Sequence, residues 1–207
     1  MGHWAQYDGA MGRRYVASED RAGVLAWSRA FHLRHLGPAE GKRVLDLACG
    51  AGDDLGAYRA AGAEAIGMDG SAYMLSHARA RANRLVRGDV SALPFQDASF
   101  DAVVSAFGIQ YADDLAAAFA EARRILKPRG LLAATVSHPE DPRPEHAPDG
   151  RGRMMTIAAL KRGVTITYPA HTLLDHRRAL AGFSIVEAES YLDDGLPRAL
   201  AIAALKR

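Results

Sequence analysis

Residues Val44 to Gly52 read V-L-D-L-A-C-G-A-G, and no other stretch constrains the fold as strongly. The apolar half, Val44 to Leu47, suits a strand buried on both faces of a parallel sheet. Gly50 and Gly52 let the main chain pass close to a ligand where any Cβ would collide, and the helix expected next points its free N–H groups into the same space. A glycine turn after a strand recurs among nucleotide enzymes of several chemistries. Its neighbours must therefore narrow the choice.

From Lys42 onward strand-like and helix-like runs alternate. Strands are expected at Val44–Leu47, Ala65–Met68, Leu85–Arg87, Ala102–Ser105 and Leu131–Val136, and helices over about Asp53–Ala61, Tyr73–Ala82 and Asp114–Leu126, with a turn at Lys127–Gly130. Short connections between such elements imply right-handed crossovers with helices on both faces of the sheet, and a ligand at the carboxyl ends of the strands. Upstream, Asp20–Leu36 carries Val24, Trp27, Phe31 and Leu36 at helical spacing before Gly37-Pro38, which predicts a helix packed as a lid or flank.

Downstream, His138–Arg153 holds four prolines and two glycines, so regular structure is not expected there; a functional lid or a disordered segment is. Val164–Tyr168 reads as a short strand and Thr172–Ala181 as a helix. Phe183–Glu187 and Ala199–Leu205 read as two closing strands around the turn signal Asp193-Asp194-Gly195. The expected fold class is α/β, a doubly wound Rossmann-like fold whose mostly parallel seven-stranded sheet ends in an antiparallel C-terminal edge hairpin. Residues 1–207 read as one domain: a helical cap to 40, a core at 41–137, a substrate loop at 138–170, and a C-terminal helix and hairpin from 171.

At 207 residues and 49% hydrophobic content, without a run of about 18 apolar residues, the chain suits one soluble domain with a sizeable core and no membrane span. The N-terminus lacks a basic stretch followed by an apolar one, so no secretory signal is expected. A lone cysteine, Cys49, precludes an internal disulfide and agrees with a cytoplasmic location. The formal charge of +2 is too mild to argue for nucleic acid. Arginines cluster at Arg79, Arg81, Arg84 and Arg87 and at Arg123, Arg124 and Arg129, but without the interleaved aromatics of a stacking surface.

Three acids fall where successive strands should end: Asp46, Asp69 and Asp89. Asp69 stands 23 residues beyond Asp46, near the separation at which a dinucleotide fold offers a carboxylate to ribose hydroxyls. Asp89, with Val90 beside it, would set a carboxylate near an exocyclic amine and an aliphatic side chain against a flat ring. Acids at strand ends also cap helices or face water, yet three in succession behind a glycine turn favour a binding site. A pyrophosphate wants its helix N-terminus clear of acids, and Asp53 and Asp54 stand there. A phosphate-free cofactor fits better than NAD.

The motifs V-L-D-L-A-C-G-A-G, G-M-D-G-S-A-Y-M-L, R-G-D-V-S-A-L-P-F, F-D-A-V-V-S and R-I-L-K-P-R-G-L-L, in this order over Arg43 to Ser137, resemble those of class I S-adenosylmethionine-dependent methyltransferases. The resemblance implies S-adenosylmethionine as cofactor. It would put Asp46 at the methionine amino group and the backbone of Ala48, Cys49, Gly50 and Gly52 along the amino-acid end. Asp69 would hold the ribose with Gly70 and Met74 in the same motif, Asp89 and Val90 the adenine, and Ala106 and Phe107 the wall near the methyl. Tyr15, with Tyr7, resembles the N-terminal tyrosine-bearing helix that caps the cofactor in small methyltransferases. Ala48 departs from the glycine frequent at that turn position, and Asp53 and Asp54 crowd the methionine carboxylate.

After the Phe100–Ser105 strand this chain reads A-F-G-I-Q-Y where amino-methylating DNA enzymes of similar fold carry an Asn or Asp, two prolines and an aromatic. A small-molecule acceptor is expected instead, methylated on oxygen or nitrogen. Gln110 and Tyr111 are candidates to bind acceptor polar groups or to hold the loop. His138 is a candidate base, its imidazole titrating near working pH, or an anchor for the proline-rich loop. No histidine or cysteine pattern supports a metal. The expected enzyme is metal-independent, a monomer or homodimer; the rival readings are a tRNA or rRNA methyltransferase and a cofactor-binding protein that transfers no methyl.

Overall fold

A computed structural model describes residues 3–16, 22–142, 154–159 and 164–207. A 3₁₀ turn over His3–Asp8 leads into α1 (Ala10–Val16), and α2 (Ala22–Leu36) precedes the sheet. Then follow β1 (Arg43–Leu47), α3 (Leu55–Ala60), β2 (Glu64–Asp69), α4 (Ala72–Ala78), β3 (Leu85–Arg87) and β4 (Phe100–Ala106). A second 3₁₀ turn (Ile109–Tyr111), α5 (Leu115–Ile125) and β5 (Leu126–Ser137) complete the parallel part. Beyond it lie β6 (Met154–Ala159), β7 (Val164–Pro169), α6 (Leu173–Ala179), β8 (Phe183–Asp193) and β9 (Leu196–Lys206). No helix among the described residues is long and apolar enough to cross a membrane.

Seven strands form one sheet in the order β3-β2-β1-β4-β5-β9-β8. Pairing is parallel from β3 to β5 and antiparallel where β9 inserts between β5 and β8. The order reverses between β1 and β4, which opens a crevice at their carboxyl ends. Alternate residues of β1 feed opposite faces: Leu45 and Leu47 join a core with Phe100, Phe119, Ile125 and Phe183, while Val44 packs with Leu36, Tyr58 and Val104. Each fully buried side chain of this size contributes about 1.5–3 kcal/mol. Side-chain caps fix helix starts, Ser71 accepting from the Met74 N–H and Asp114 from the Ala117 N–H, and Thr172 with Asp175 forms a capping box ahead of α6.

Several expectations are corrected. Lys127–Gly130 is not a free turn: β5 starts at Leu126 and absorbs those residues as a register shift, with Arg129 left-handed at φ 61°. The helix expected over Tyr73–Ala82 ends at Ala78. Both closing strands are 11 residues long, joined by a turn whose two residues, Asp194 and Gly195, have φ of 52° and 75°, as a tight hairpin requires. Met154–Ala159, unread in the sequence, pairs with β7 as a separate two-stranded sheet. The expected irregular stretch is seen at His138–Pro142, and 143–153 lies outside the described residues.

Of the two roles foreseen for α2 the structure gives the flank. Phe31 packs with Ala201 and Ala203, and Ser28 donates to Thr135 Oγ1 at 2.9 Å. The buried His32 bridges Tyr58 Oη, 3.0 Å from Nδ1, and Thr135 Oγ1, 3.2 Å from Nε2. Burial, with a smaller contribution from His35, pushes its pKa from 6.5 down to about 3. A histidine held neutral contributes stability that is complete above its unfolded pKa and is lost as pH falls from about 6.5 toward 3. Unfolding titrations of wild type and His32→Gln should therefore show the wild-type advantage shrinking by about 2 kcal/mol between pH 7 and pH 4.5. A constant difference across that range would contradict the neutral assignment.

Candidate active site

The crevice holds a cavity of about 580 Å³. The glycine turn after β1 forms one wall, with Ala48 at φ 59° and Gly50 at 56°. Asp69, at the end of β2, ties the walls together: Oδ2 accepts from the Gly50 N–H at 2.9 Å and Oδ1 from the Ser71 N–H at 2.8 Å. Each oxygen keeps further acceptor capacity toward the cavity, as ribose hydroxyls require. Gly70 and Met74 continue this wall, and Asp89 and Val90, just past β3, face it. Ala106, Phe107 and Tyr111 close the far side, and Tyr15 comes from α1. Phe107 is left-handed at φ 58°, its N–H held by the Thr135 carbonyl; such strain persists only where the surroundings enforce it.

Asp46 and Cys49 line a smaller cleft of about 40 Å³ that shares Tyr15, Ala48, Gly50 and Ala106 with the main cavity. Asp46 is 3% exposed, and burial first, then Asp54, Asp69 and Asp53, push its pKa well above the ordinary carboxylate range. No hydrogen-bond donor among the described residues reaches it. Asp54 is paired with Arg29 and Asp53 with Arg81, and both acids line this cleft beside Asp46. An unpaired buried carboxylate is costly unless a cation meets it. The same acids repel phosphates, so these residues fit a cofactor with an ammonium and a sulfonium. Burial raises the Cys49 thiol's pKa well above its usual value, which keeps it a neutral spectator.

Other expected residues lie elsewhere. Gly52, at φ 78°, is buried behind the turn against Ala78 and lines neither space. Gln110 and His138 line a second cavity of about 420 Å³. Nδ1 of His138 accepts the Glu140 N–H at 3.2 Å, and Nε2 lies 3.3 Å from Ser190 Oγ. Both ring nitrogens are engaged and burial lowers the pKa.

Sequence reasoning missed how much the N-terminal 3₁₀ turn does. His3 Nε2 lies 2.8 Å from Asp113, Tyr7 Oη 2.5 Å from Tyr111 Oη, and Asp8 accepts from Ser71 Oγ at 2.6 Å. The strap thus crosses the cavity mouth and is pinned on both banks. Trp4 packs on Gly70, where any Cβ would run into the indole, and its N–H points to Asp89 Oδ2 at 3.4 Å. The Arg87 guanidinium sits 5.5 Å from the ring. The aromatic run in H-W-A-Q-Y-D was the available signal, too short for periodicity to register.

Residues 45–134 match the family described as methyltransferase domain. Over that stretch, less than half of the chain, the protein resembles a methyltransferase domain. The acids described above suit S-adenosylmethionine, the cofactor of methyltransferases with this fold. A demethylmenaquinone methyltransferase from Renibacterium salmoninarum is 40% identical over 107 residues, 50% of this chain and 45% of that protein. A malonyl-[acyl-carrier protein] O-methyltransferase from Erwinia pyrifoliae is 42% identical over 108 residues, 51% of this chain and 41% of that one. The matched stretch thus spans less than half the length of those curated relatives. The solved structure of an S-adenosylmethionine-dependent methyltransferase from Mesorhizobium loti shares the fold at TM-score 0.70 and 24% identity, over 86% of this chain and 98% of that one.

Of the two tryptophans, Trp27 bonds to Glu189 and lines neither the cavity nor the cleft, so Trp27→Phe isolates Trp4 as an optical probe. Titrating S-adenosylhomocysteine into that variant should shift or quench Trp4 emission saturably, at the affinity measured by calorimetry. Emission unchanged at saturation would separate Trp4 from the cofactor wall.

Proposed function

We propose that this chain transfers the methyl group of S-adenosylmethionine to an oxygen or nitrogen of a small organic molecule. The observation that carries the reading is the carboxylate set, Asp69 and Asp89 in the main cavity and Asp46 in the cleft that adjoins it, beside the turn after β1. Asp46 holds the ammonium, Asp69 the ribose hydroxyls, and Asp89 with Val90 the adenine edge and face. The cofactor supplies an activated methyl; the protein supplies alignment and removal of water, which account for much of the acceleration in such a displacement. Tyr7 and Tyr111, their hydroxyls 2.5 Å apart, cover the far end of the cavity and exclude water beside Phe107.

His138 acts in this reading as the anchor of the proline-rich loop, because no lone pair remains free on its ring to take an acceptor proton. A nucleic-acid acceptor is disfavoured by the arginine clusters. Arg81 is paired with Asp53, Arg84 with Glu64, Arg87 with Asp8 and Arg124 with Glu121 and Asp97, which leaves fewer uncompensated charges on those faces.

Mass spectrometry of a small-molecule extract incubated with the protein and trideuteriomethyl-labelled cofactor should reveal a labelled product and an equal amount of S-adenosylhomocysteine. Asp69→Ala should weaken cofactor affinity by about 10- to 100-fold through lost charge-assisted hydrogen bonds. Cofactor bound without any S-adenosylhomocysteine formed would contradict transfer, and label recovered only in added RNA would contradict the small-molecule acceptor.

A further inference from the structure

The strap from His3 to Asp8 ends against the turn Asp69-Gly70-Ser71, which joins β2 to α4 and carries the ribose carboxylate. Asp8 Oδ1 accepts from Ser71 Oγ at 2.6 Å and from the Tyr73 N–H at 3.0 Å. Ser71 is 1% exposed, and its Oγ also accepts the Met74 N–H at 3.1 Å, so both its donor and an acceptor lone pair are committed in fixed directions. The Ser71 N–H donates to Asp69 Oδ1 at 2.8 Å. A continuous path, Asp8 to Ser71 to Asp69, thus joins the strap to the cavity.

Gly70, in the middle of the turn, is held by the same segment. Trp4 packs on it from the strap. Its carbonyl accepts from Arg87 Nε at 3.0 Å, and the same guanidinium lies 3.9 Å from Asp8 Oδ2. The Ser71 bond first, with the Tyr73 N–H and Arg87, outweighs partial burial and holds the Asp8 carboxyl below its ordinary range. Asp8 is therefore ionised at neutral pH and a strong acceptor. Burial and, more weakly, the Asp8 charge raise the pKa of Asp69.

To hold two ribose hydroxyls, Asp69 must aim both oxygens into the cavity while each still accepts its backbone N–H. The Gly50 N–H steadies Oδ2. The Ser71 N–H steadies Oδ1, and Ser71 is held in turn by Asp8. We propose that Asp8 is a positioning residue for the cofactor's ribose, acting on Asp69 through Ser71. This assignment rests on the methyl-transfer reading and adds to it the residue that aims the ribose carboxylate.

S-Adenosylhomocysteine and its analogue lacking both ribose hydroxyls differ only in the groups that Asp69 binds, and calorimetry gives the ratio of their affinities. Wild type should prefer the hydroxylated ligand by about 10- to 100-fold. In Asp8→Ala that ratio should fall by about threefold or more. In Asp8→Asn, which keeps an oxygen for Ser71 and Tyr73 and removes the charge that acts on Asp69, the ratio should stay at the wild-type level. A strap that merely came loose would weaken both ligands alike and leave the ratio unchanged. An unchanged ratio in Asp8→Ala, or an equal fall in Asp8→Asn, would overturn the positioning role alone. Equal affinity of the two ligands for wild type would overturn the ribose assignment of Asp69 and this proposal with it. Failure of S-adenosylhomocysteine to bind wild type would overturn methyl transfer itself.

Discussion

A carboxylate that no hydrogen-bond donor among the described residues meets, open only to a small cleft, is the constraint on which the carboxyl end of this sheet depends. Asp46 sits in β1 beside Gly67 of β2, and Asp69 closes β2 two residues further on. Burial raises the pKa of both, and the proximity of the acids raises that of Asp46 further. Asp69 is compensated by two backbone N–H groups, and Asp54 by Arg29. Asp46 is left uncompensated. A fold tolerates such a cost when a ligand removes it, and the ligand that does so here must carry positive charge.

The surrounding scaffold holds that arrangement rigid. Ala48 and Phe107, on adjacent strand ends, both adopt left-handed backbone, a conformation that costs about 1–2 kcal/mol for a residue with a Cβ. The cost is met by cores on both faces of the sheet and by the Phe107 N–H to Thr135 bond. Thr135 itself belongs to the buried Ser28, His32 and Tyr58 network. The neutral histidine of α2 is thus two links away from Phe107, which lines the crevice cavity.

Much of the core was legible because its elements follow simple rules. Val44–Leu47 and Ala65–Met68 are continuous apolar runs of the kind a sheet covered on both faces demands, and Asp114 announces its helix as a cap. The misreadings share a physical cause. Lys127–Gly130 carries turn residues, but a bulge uses the same chemistry, and only the neighbouring strand decides between them. β8 was read as five residues because this outer strand leaves Ile185, Val186 and Leu192 exposed, which blurs its alternation. In the site, Asp69, Asp89 and Phe107 could be read from motif order. The strap from His3 to Asp8 comes from contacts 63 to 110 residues apart, which leave no local signature.

The most direct measurement of the central claim is the proton count on cofactor binding. A carboxyl with a raised pKa keeps its proton to higher pH in the free protein, and a bound cation favours its ionised form. Binding of S-adenosylmethionine should therefore release a proton and tighten as pH rises through the Asp46 titration. Calorimetry in buffers of different ionisation enthalpy reads that number directly. Net release in wild type, abolished in Asp46→Asn, is the predicted result. Proton uptake, or the same release from both proteins, would contradict the account.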